Sequence, residues 1–352
     1  MGGDVSPAVP ARYDRDTGRI DGNTKPKKPP VDALSDILRV SRLSGGVFLN
    51  ARFSAPWCMI GQMSAEHCAP YVGPAVTLIP YHYVVAGDLY IAEPNRKAEG
   101  QKVSGGDVVL FPRNDLYLMG SDVSLPPVSA ASVIVPDGDK MLPNVLHGGG
   151  GDSVQMVCGF LGCDSGLANP IVSTLPSAMI LKVEDTPAAD WIRSTFQYAA
   201  YEVASGRTGS TAVLSKLSEL LFVEAVRQYV QAIPENQTGW LAGLRDPAVS
   251  KALALMHGDI VHDWSVDELG REVGVSRSAF AERFTRMIGV APMHYLTDWR
   301  LQVAAQKLRD GGDPMGRIAE QVGYESEASF SRAFKKKFGA APATWRRGDL
   351  KP

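Results

Sequence analysis

Val-Gly-Val-Ser-Arg-Ser-Ala-Phe-Ala-Glu-Arg-Phe, residues 273–284, returns as Val-Gly-Tyr-Glu-Ser-Glu-Ala-Ser-Phe-Ser-Arg-Ala-Phe, residues 322–334. After one inserted residue the register holds at an offset of fifty. Phe280 maps onto Phe330, Phe284 onto Phe334, Gly289 onto Gly339, Pro292 onto Pro342 and Tyr295 onto Trp345. So many matched positions make an internal duplication, and a duplication decides architecture before any single motif does.

Each copy is predicted as helix, tight turn, helix. Ser265-Val266-Asp267-Glu268 has the capping-box pattern, so a helix starts at Val266 and buries Val266, Leu269 and Val273 on one face. Gly274 supplies the turn, where positive φ costs glycine little. Ser276 caps the next helix, and Gly289 stops it. On that helix Phe280 and Phe284 point inward with Met287 or Ile288. Arg277, Ser278, Ala281, Glu282, Thr285 and Arg286 point outward. In the second copy Asp313-Pro314 opens the first helix, Ile318 and Val322 face inward, Gly323 turns the chain and Ser326 caps the second helix. Two short helices joined by a glycine turn form a helix-turn-helix, whose second helix enters the DNA major groove.

A helical bundle with repeated core positions is the plainer alternative, and the four phenylalanines are core in either case. The outward face argues for DNA. From Arg332 to Arg347 the chain carries Arg332, Lys335, Lys336, Lys337, Arg346 and Arg347 and no acidic residue. Such a stripe on a helix-turn-helix suits phosphates.

Residues from about Asp246 to Arg347 resemble the DNA-binding domain of the AraC/XylS family of transcription regulators. The most specific part is Gly323-Tyr-Glu-Ser-Glu-Ala-Ser-Phe-Ser-Arg-Ala-Phe-Lys335, followed by Phe338-Gly339 and Pro342. The resemblance implies two helix-turn-helix units joined by one long helix, here about Pro292 to Arg309. It also implies double-stranded operator DNA as partner, with Glu327, Ala328, Ser331 and Arg332 facing bases in the second unit. RNA polymerase is a further partner such a regulator implies.

The chain has 352 residues and a formal net charge of −2. From Asp246 onward 16 Lys plus Arg stand against 14 Asp plus Glu. DNA binding must therefore rest on local placement of charge. No apolar run is long enough for a membrane span, and the N-terminus lacks a basic-then-apolar leader pattern. Four cysteines, Cys58, Cys68, Cys158 and Cys163, do not make a disulfide framework in a chain this long. The expected location is cytoplasmic.

Residues 1–30, rich in Pro, Gly, Asp and Lys, are expected to be a disordered tail. From Asp32 to about Val172 short apolar runs alternate with turn signals, among them Val76-Thr-Leu-Ile79, Tyr81-His-Tyr-Val-Val85, Leu89-Tyr-Ile91 and Val108-Val-Leu-Phe111. That pattern predicts a β-sandwich or barrel. Tyr81 to Ile91 with Gly105 to Pro112, His147-Gly148-Gly149-Gly150-Gly151 and Cys158-Gly159-Phe160-Leu161 resemble the cupin domain of one AraC branch. Catalytic cupins hold a metal with several histidines; here the first motif offers His82 alone, and the second puts Tyr117 where a histidine would be sought. His67, Cys68, His82, His147, Cys158 and Cys163 could still converge on a soft-ligand site, but their spacing assigns no metal. No cofactor is expected, and the simpler reading is a set of buried, inert groups.

From Ala188 to about Ile233 the apolar period becomes helical. Leu214, Leu217, Leu220, Leu221, Val223, Val226, Tyr229 and Val230 give one helix more apolar positions than a single contact requires, so it either packs wholly within the domain or also meets a second copy. Pro234 to Gly239 reads as a linker.

The fold class is therefore α+β multidomain: an N-terminal cupin-like β-barrel with flanking helices (31–233), a linker (234–245) and an all-α domain with two helix-turn-helix units (246–352). The expected function is sequence-specific transcription regulation without enzymatic activity, the cupin-like part sensing a small effector through His82 and Cys158 or mediating a homodimer. The expected DNA contacts are Arg277, Ser278, Ala281, Glu282 and Arg286 in the first unit and Glu327, Ala328, Ser331, Arg332, Lys335 and Lys336 in the second. The alternatives are a cupin metalloenzyme fused to a DNA-binding module and a structural DNA-bending protein. On alternating strand geometry, an inward His82 takes Val84 with it and leaves Tyr81 and Tyr83 outside.

Overall fold

The computed structural model describes residues 32–347, apart from 42, 65–67, 69–75, 97–99, 134–143, 165–171, 173, 183–189, 193, 197, 199–200, 202–209 and 235. The expected N-terminal tail, His67 and Ala188 lie outside the described residues.

The N-terminal region is two facing antiparallel-rich sheets. The six-stranded sheet has the order β11-β6-β3-β10-β1-β9, and the five-stranded sheet the order β5-β4-β7-β2-β8. In the first, β1 is Ser44–Ser54, β3 Val76–Ala86, β6 Val108–Leu110, β9 Asn144–Gly148, β10 Ser153–Asp164 and β11 Met179–Leu181. In the second, β2 is Cys58–Gly61, β4 Asp88–Ala92, β5 Gln101–Ser104, β7 Tyr117–Gly120 and β8 Val128–Ser129. Among the described residues no ladder joins the two sheets into a closed ring, so the cupin-like unit is sandwich-like in its hydrogen bonding.

Alternation along β3 assigns its faces. Val84 is buried between the sheets with Leu49, Phe53, Trp57, Leu89, Met119 and Met156. Tyr81 and Tyr83 leave by the other face and meet Phe196, Tyr83 stacking on it at 4.1 Å. Tyr81 Oη also pairs with Ser218 Oγ at 2.7 Å, on helix α3, Ser210–Ala232. Helix α2 is the short Ala130–Val133. Along α3, Leu221, Phe222, Ala225 and Val226 are buried against the sheet, Leu217, Val223, Tyr229 and Val230 are half-buried, and Leu220 is exposed.

The C-terminal helices follow the duplication. They are α4 Trp240–Gly243, α5 Pro247–Gly258, α6 Val266–Val273, α7 Arg277–Ile288, α8 Pro292–Asp310, α9 Met315–Gln321, α10 Glu327–Phe338 and α11 Pro342–Arg347. Ser265 Oγ accepts from the Glu268 amide, Ser276 Oγ from Ala279 and Ser326 Oγ from Ser329. The capping box is half made, because the Glu268 carboxylate turns to His262 Nε2 at 2.9 Å instead of back to the cap amide. Gly274 and Gly323 hold φ near +79° at the two turns, which L side chains rarely adopt. Pro314 precedes its helix as the cap residue, not as its first turn.

Helix α8 serves two cores. Tyr295, Leu296 and Trp299 belong to a cluster with Phe280, Phe284, Leu269 and Leu253. Leu301, Ala304, Ala305 and Leu308 belong to a second, with Ile318, Val322, Phe330, Phe334 and Trp345. Within the stretch 234–245, Trp240, Leu241 and Ala242 are buried in the first cluster, and Trp240 Nε1 donates to Tyr295 Oη at 2.9 Å. Helix α1, Ala33–Ser41, sits at the start of the cupin-like region yet packs on α5 and α8.

Candidate nucleic-acid interface and N-terminal cleft

Both second helices present one polar face. On α7, Arg277, Ser278, Glu282 and Arg286 are exposed and Ala281 is half-buried, opposite the fully buried Phe280 and Phe284. On α10, Glu327, Ala328, Arg332, Lys335 and Lys336 are exposed and Ser331 is half-buried, opposite Phe330 and Phe334. The i, i+4 spacing of the two phenylalanines fixes this rotation: once both rings enter the core, the positions on the opposite side of the helix face solvent. Helix α8 has 19 residues. At ~1.5 Å per residue it spans about 28 Å, comparable with the ~34 Å between successive major-groove segments on one side of a duplex.

Not every predicted cation is free for phosphate. Lys337 Nζ meets Asp298 Oδ2 at 2.5 Å, and Arg346 Nη2 donates to the Asp313 carbonyl at 2.7 Å. The six-residue basic stripe is thus shorter than the sequence suggests: on α10 Arg332, Lys335, Lys336 and Lys337 are all exposed, but Lys337 is tied to Asp298. In the first unit Arg283 is likewise committed, its Nε donating to Asp246 Oδ2 at 2.6 Å while Asp246 caps α5. The Glu327 carboxylate leans back on the second unit's first helix, Oε2 lying 3.4 Å from where a Cβ on Gly316 would sit.

The described soft donors of the N-terminal region do not converge on one site. Among the described residues no group of three His, Cys, Asp or Glu is arranged to hold a metal. Cys158 lies between the sheets and Cys163 on the outer face with Tyr81 and α3. Burial pushes the Cys158 thiol far above its usual range, and that of Cys68 up to about 11. Both are protonated thiols at neutral pH, a poor state for metal or nucleophile.

His82 is buried opposite Cys158 in the β3–β10 register. Its Nε2 pairs with Tyr117 Oη at 2.9 Å, and its ring abuts Phe111 and Tyr117. The tyrosine that stands where a metal histidine would be sought is therefore the hydrogen-bond partner of the one histidine present. Burial lowers the His82 pKa to about 4, so the imidazole is neutral, and its Nδ1 has no hydrogen-bond partner among the described residues. Phe111 and Tyr117 stack at 3.6 Å and form a wall of a cleft of about 200 Å³ that includes Ile91, Glu93, Arg96 and Gln101. His82 and Cys158 do not line this cleft; His82 stands behind its aromatic wall. Sequence reasoning missed the cleft because Glu93, Arg96 and Gln101 come from a turn and an edge strand with no motif.

Residues 32–231 match the family model described as cupin, and residues 269–348 the model described as helix-turn-helix domain. The chain is 32% identical over 242 residues to a putative AraC-like transcription regulator of Streptomyces antibioticus, covering 69% of this chain and 78% of that one. It is 27% identical to the HTH-type transcriptional regulator AlkR of Acinetobacter baylyi, covering 90% of this chain and 99% of AlkR. It is 26% identical to the RCS-specific HTH-type transcriptional activator RclR of Escherichia coli, covering 90% and 97%. A cupin region followed by two helix-turn-helix units, with relatives of this extent, defines a DNA-binding transcription regulator. The chain belongs to the AraC-type regulators that carry an N-terminal cupin domain. No described helix is long and apolar enough to cross a membrane.

Proposed function

We propose that this regulator reads a two-part operator with α7 and α10 and answers to a small effector bound by its cupin domain, without turning that effector over. The observation that carries the DNA half is the matched exposed face of the two capped helices: Arg277, Ser278, Ala281, Glu282 and Arg286 on one, Glu327, Ala328, Ser331, Arg332, Lys335 and Lys336 on the other. Arg332 suits a bidentate pair to guanine O6 and N7, and Glu282 suits acceptance from cytosine N4. Lys335 and Lys336 suit phosphates. Footprinting of the full chain on its native genome tests the reading: it should give protected sites with two halves about one helical turn apart. On such a site Arg332→Ala should weaken specific binding by about 10- to 100-fold and relax one base pair, at ~1–3 kcal/mol per bidentate contact. Equal weakening on specific and scrambled DNA would reduce Arg332 to a phosphate contact. An unchanged preference at every position in Glu282→Ala would remove that residue from base reading.

The effector half rests on the cleft walled by Phe111 and Tyr117, with His82 and Cys158 packed behind. A ligand there would act on Tyr117, and through its hydroxyl on His82. His82→Ala should abolish the effector response in a reporter assay while purified protein keeps its basal DNA affinity, because the helix-turn-helix cores lie elsewhere. A normal response would release His82 from sensing, and loss of both activities would make it a residue that only holds the fold.

Helix α1 and the buried chain Trp240–Tyr295–His257 supply a route between the parts. Tyr295 Oη accepts from Trp240 Nε1 at 2.9 Å and pairs with His257 Nε2 at 2.8 Å. With that oxygen donating its proton to Nε2, the neutral His257 carries its own proton on Nδ1, which faces Asp36 Oδ2 on α1 at 3.9 Å. An effector that favours one seating of α1 shifts the population of DNA-competent arrangements by its difference in affinity for them. We also propose a homodimer through the outer face of α3, where Leu220 is exposed, with RNA polymerase as a further partner on DNA and the cytoplasm as the place of action. Sedimentation of the full chain reads the assembly; a monomer at tens of micromolar would end that part of the reading.

A further inference from the structure

Helix α8 changes core between Trp299 and Leu301. Trp299 closes the first unit's cluster, and Leu301 opens the second's. Arg300 stands at that changeover. Its Nε donates to the Ile260 carbonyl at 2.8 Å and its Nη2 to the His262 carbonyl at 2.8 Å. Both carbonyls lie in the loop that enters α6. That loop is itself tied down, by Trp264 Nε1 donating to the Asp259 carbonyl at 3.0 Å and by the His262–Glu268 contact at 2.9 Å.

The same guanidinium touches the second unit. A Cβ on Gly323 would lie 2.9 Å from Arg300 Cζ and 2.9 Å from Nη2, so the turn between α9 and α10 rests on the plane of the group. Gly323 is needed there twice, for its φ of +79° and for this approach. Arg300 thus joins the entrance of one helix-turn-helix to the turn of the other. Lysine could not replace it, because a planar fork serves two carbonyls at once and an ammonium does not.

We infer that Arg300 is a positioning residue that fixes the angle and spacing between the two DNA-reading units. Each unit has its own core, so the units fold without it. A single helix joins them, and an operator read by both units rewards a preset geometry, since the ordering cost is then met before binding. Removing the fork lets the units adapt to wrong spacings.

Two measurements on the full chain test this. The first uses a two-part site selected from random DNA, with one base pair inserted between its halves. That insertion should cost the unaltered protein about 10- to 100-fold, the worth of one unit's base contacts, and cost Arg300→Met under about threefold. The second places spin labels at Arg271→Cys and Glu320→Cys, exposed on α6 and α9, the four native cysteines being buried. The distance distribution should widen in Arg300→Met. Because the inference rests on both units engaging DNA, the two results separate its failure from that of the functional reading. An unaltered protein indifferent to the insertion sinks the two-part reading, whereas an unchanged label distance in the variant overturns the role of Arg300. If Arg300→Met does not fold, Arg300→Lys takes its place, and full spacing discrimination in that folded variant overturns the role equally.

Discussion

Phe334→Ala is expected to melt the second DNA-reading unit and leave the cupin region intact. Phe334 is fully buried and meets Phe330 at 5.5 Å, Phe338 at 4.6 Å and Trp345 at 5.6 Å. Truncating a buried phenylalanine costs ~3–5 kcal/mol through lost transfer energy and the cavity left behind. The second core is small, built from short helices around the C-terminal half of α8, so little surrounds the hole to collapse into it. Trp345 loses the ring edge that faces it. It keeps the Phe338 ring at 4.8 Å, the bond from Nε1 to the Ala305 carbonyl at 3.2 Å and the Arg309 guanidinium 4.7 Å above its ring. Urea unfolding followed by far-UV circular dichroism should show an early transition absent from the parent. Specific DNA affinity should fall toward the non-specific level, a loss of about 10³-fold or more. A single transition with the parent's midpoint would mean that this core tolerates the cavity and is more plastic than its packing implies.

The limits of reading from sequence follow the range of the interactions. Ser265, Ser276 and Ser326 cap, and Gly274, Gly289, Gly323 and Gly339 turn or stop helices where the spacing puts them, because a cap and a positive φ involve neighbours within a few residues. The rotation of α7 and α10 was legible for the same reason, from phenylalanines four apart. Lys337 and Arg346 read as free cations because their partners, Asp298 and Asp313, lie more than thirty residues away. Arg300 reads as one more solvent-facing charge on a helix, and only the folded chain shows its fork between Ile260, His262 and Gly323. The docking of α1 on α5 and α8 is longer in range still, across more than two hundred residues, and nothing in Ala33–Ser41 beyond its amphipathic pattern announces it. His82 was the intermediate case: strand alternation put it inside with Val84 and the tyrosines outside, but its place behind Tyr117 needed the pairing of sheets.

Acidification from pH 7.5 to pH 5 is expected to destabilise the protein by about 4 kcal/mol, through His82 and His257. Both imidazoles are buried: burial lowers the pKa of His82 to about 4 and that of His257 to about 3. His257 is stacked on Trp299 at 4.0 Å and closed in by Tyr295, and desolvation there outweighs the pull of Asp36 at 3.9 Å toward the charged form. In the unfolded chain each histidine takes up a proton near its ordinary pKa of about 6.5, whereas in the folded chain neither does so until the pH is far lower. Below pH 6.5 the unfolded state therefore binds more protons, and stability rises with pH throughout the window between the folded and unfolded pKa values. It is fully present above about pH 7 and is lost as the pH falls, by ~1.4 kcal/mol per unit for each group, or about 2 kcal/mol each by pH 5. Urea midpoints measured from pH 7.5 to 5 read the slope. His257→Gln and His82→Gln lower stability at every pH but should each remove about half of the slope. Parallel curves for the parent and the double variant would show that other groups carry the acid response and that these histidines protonate without leaving the fold.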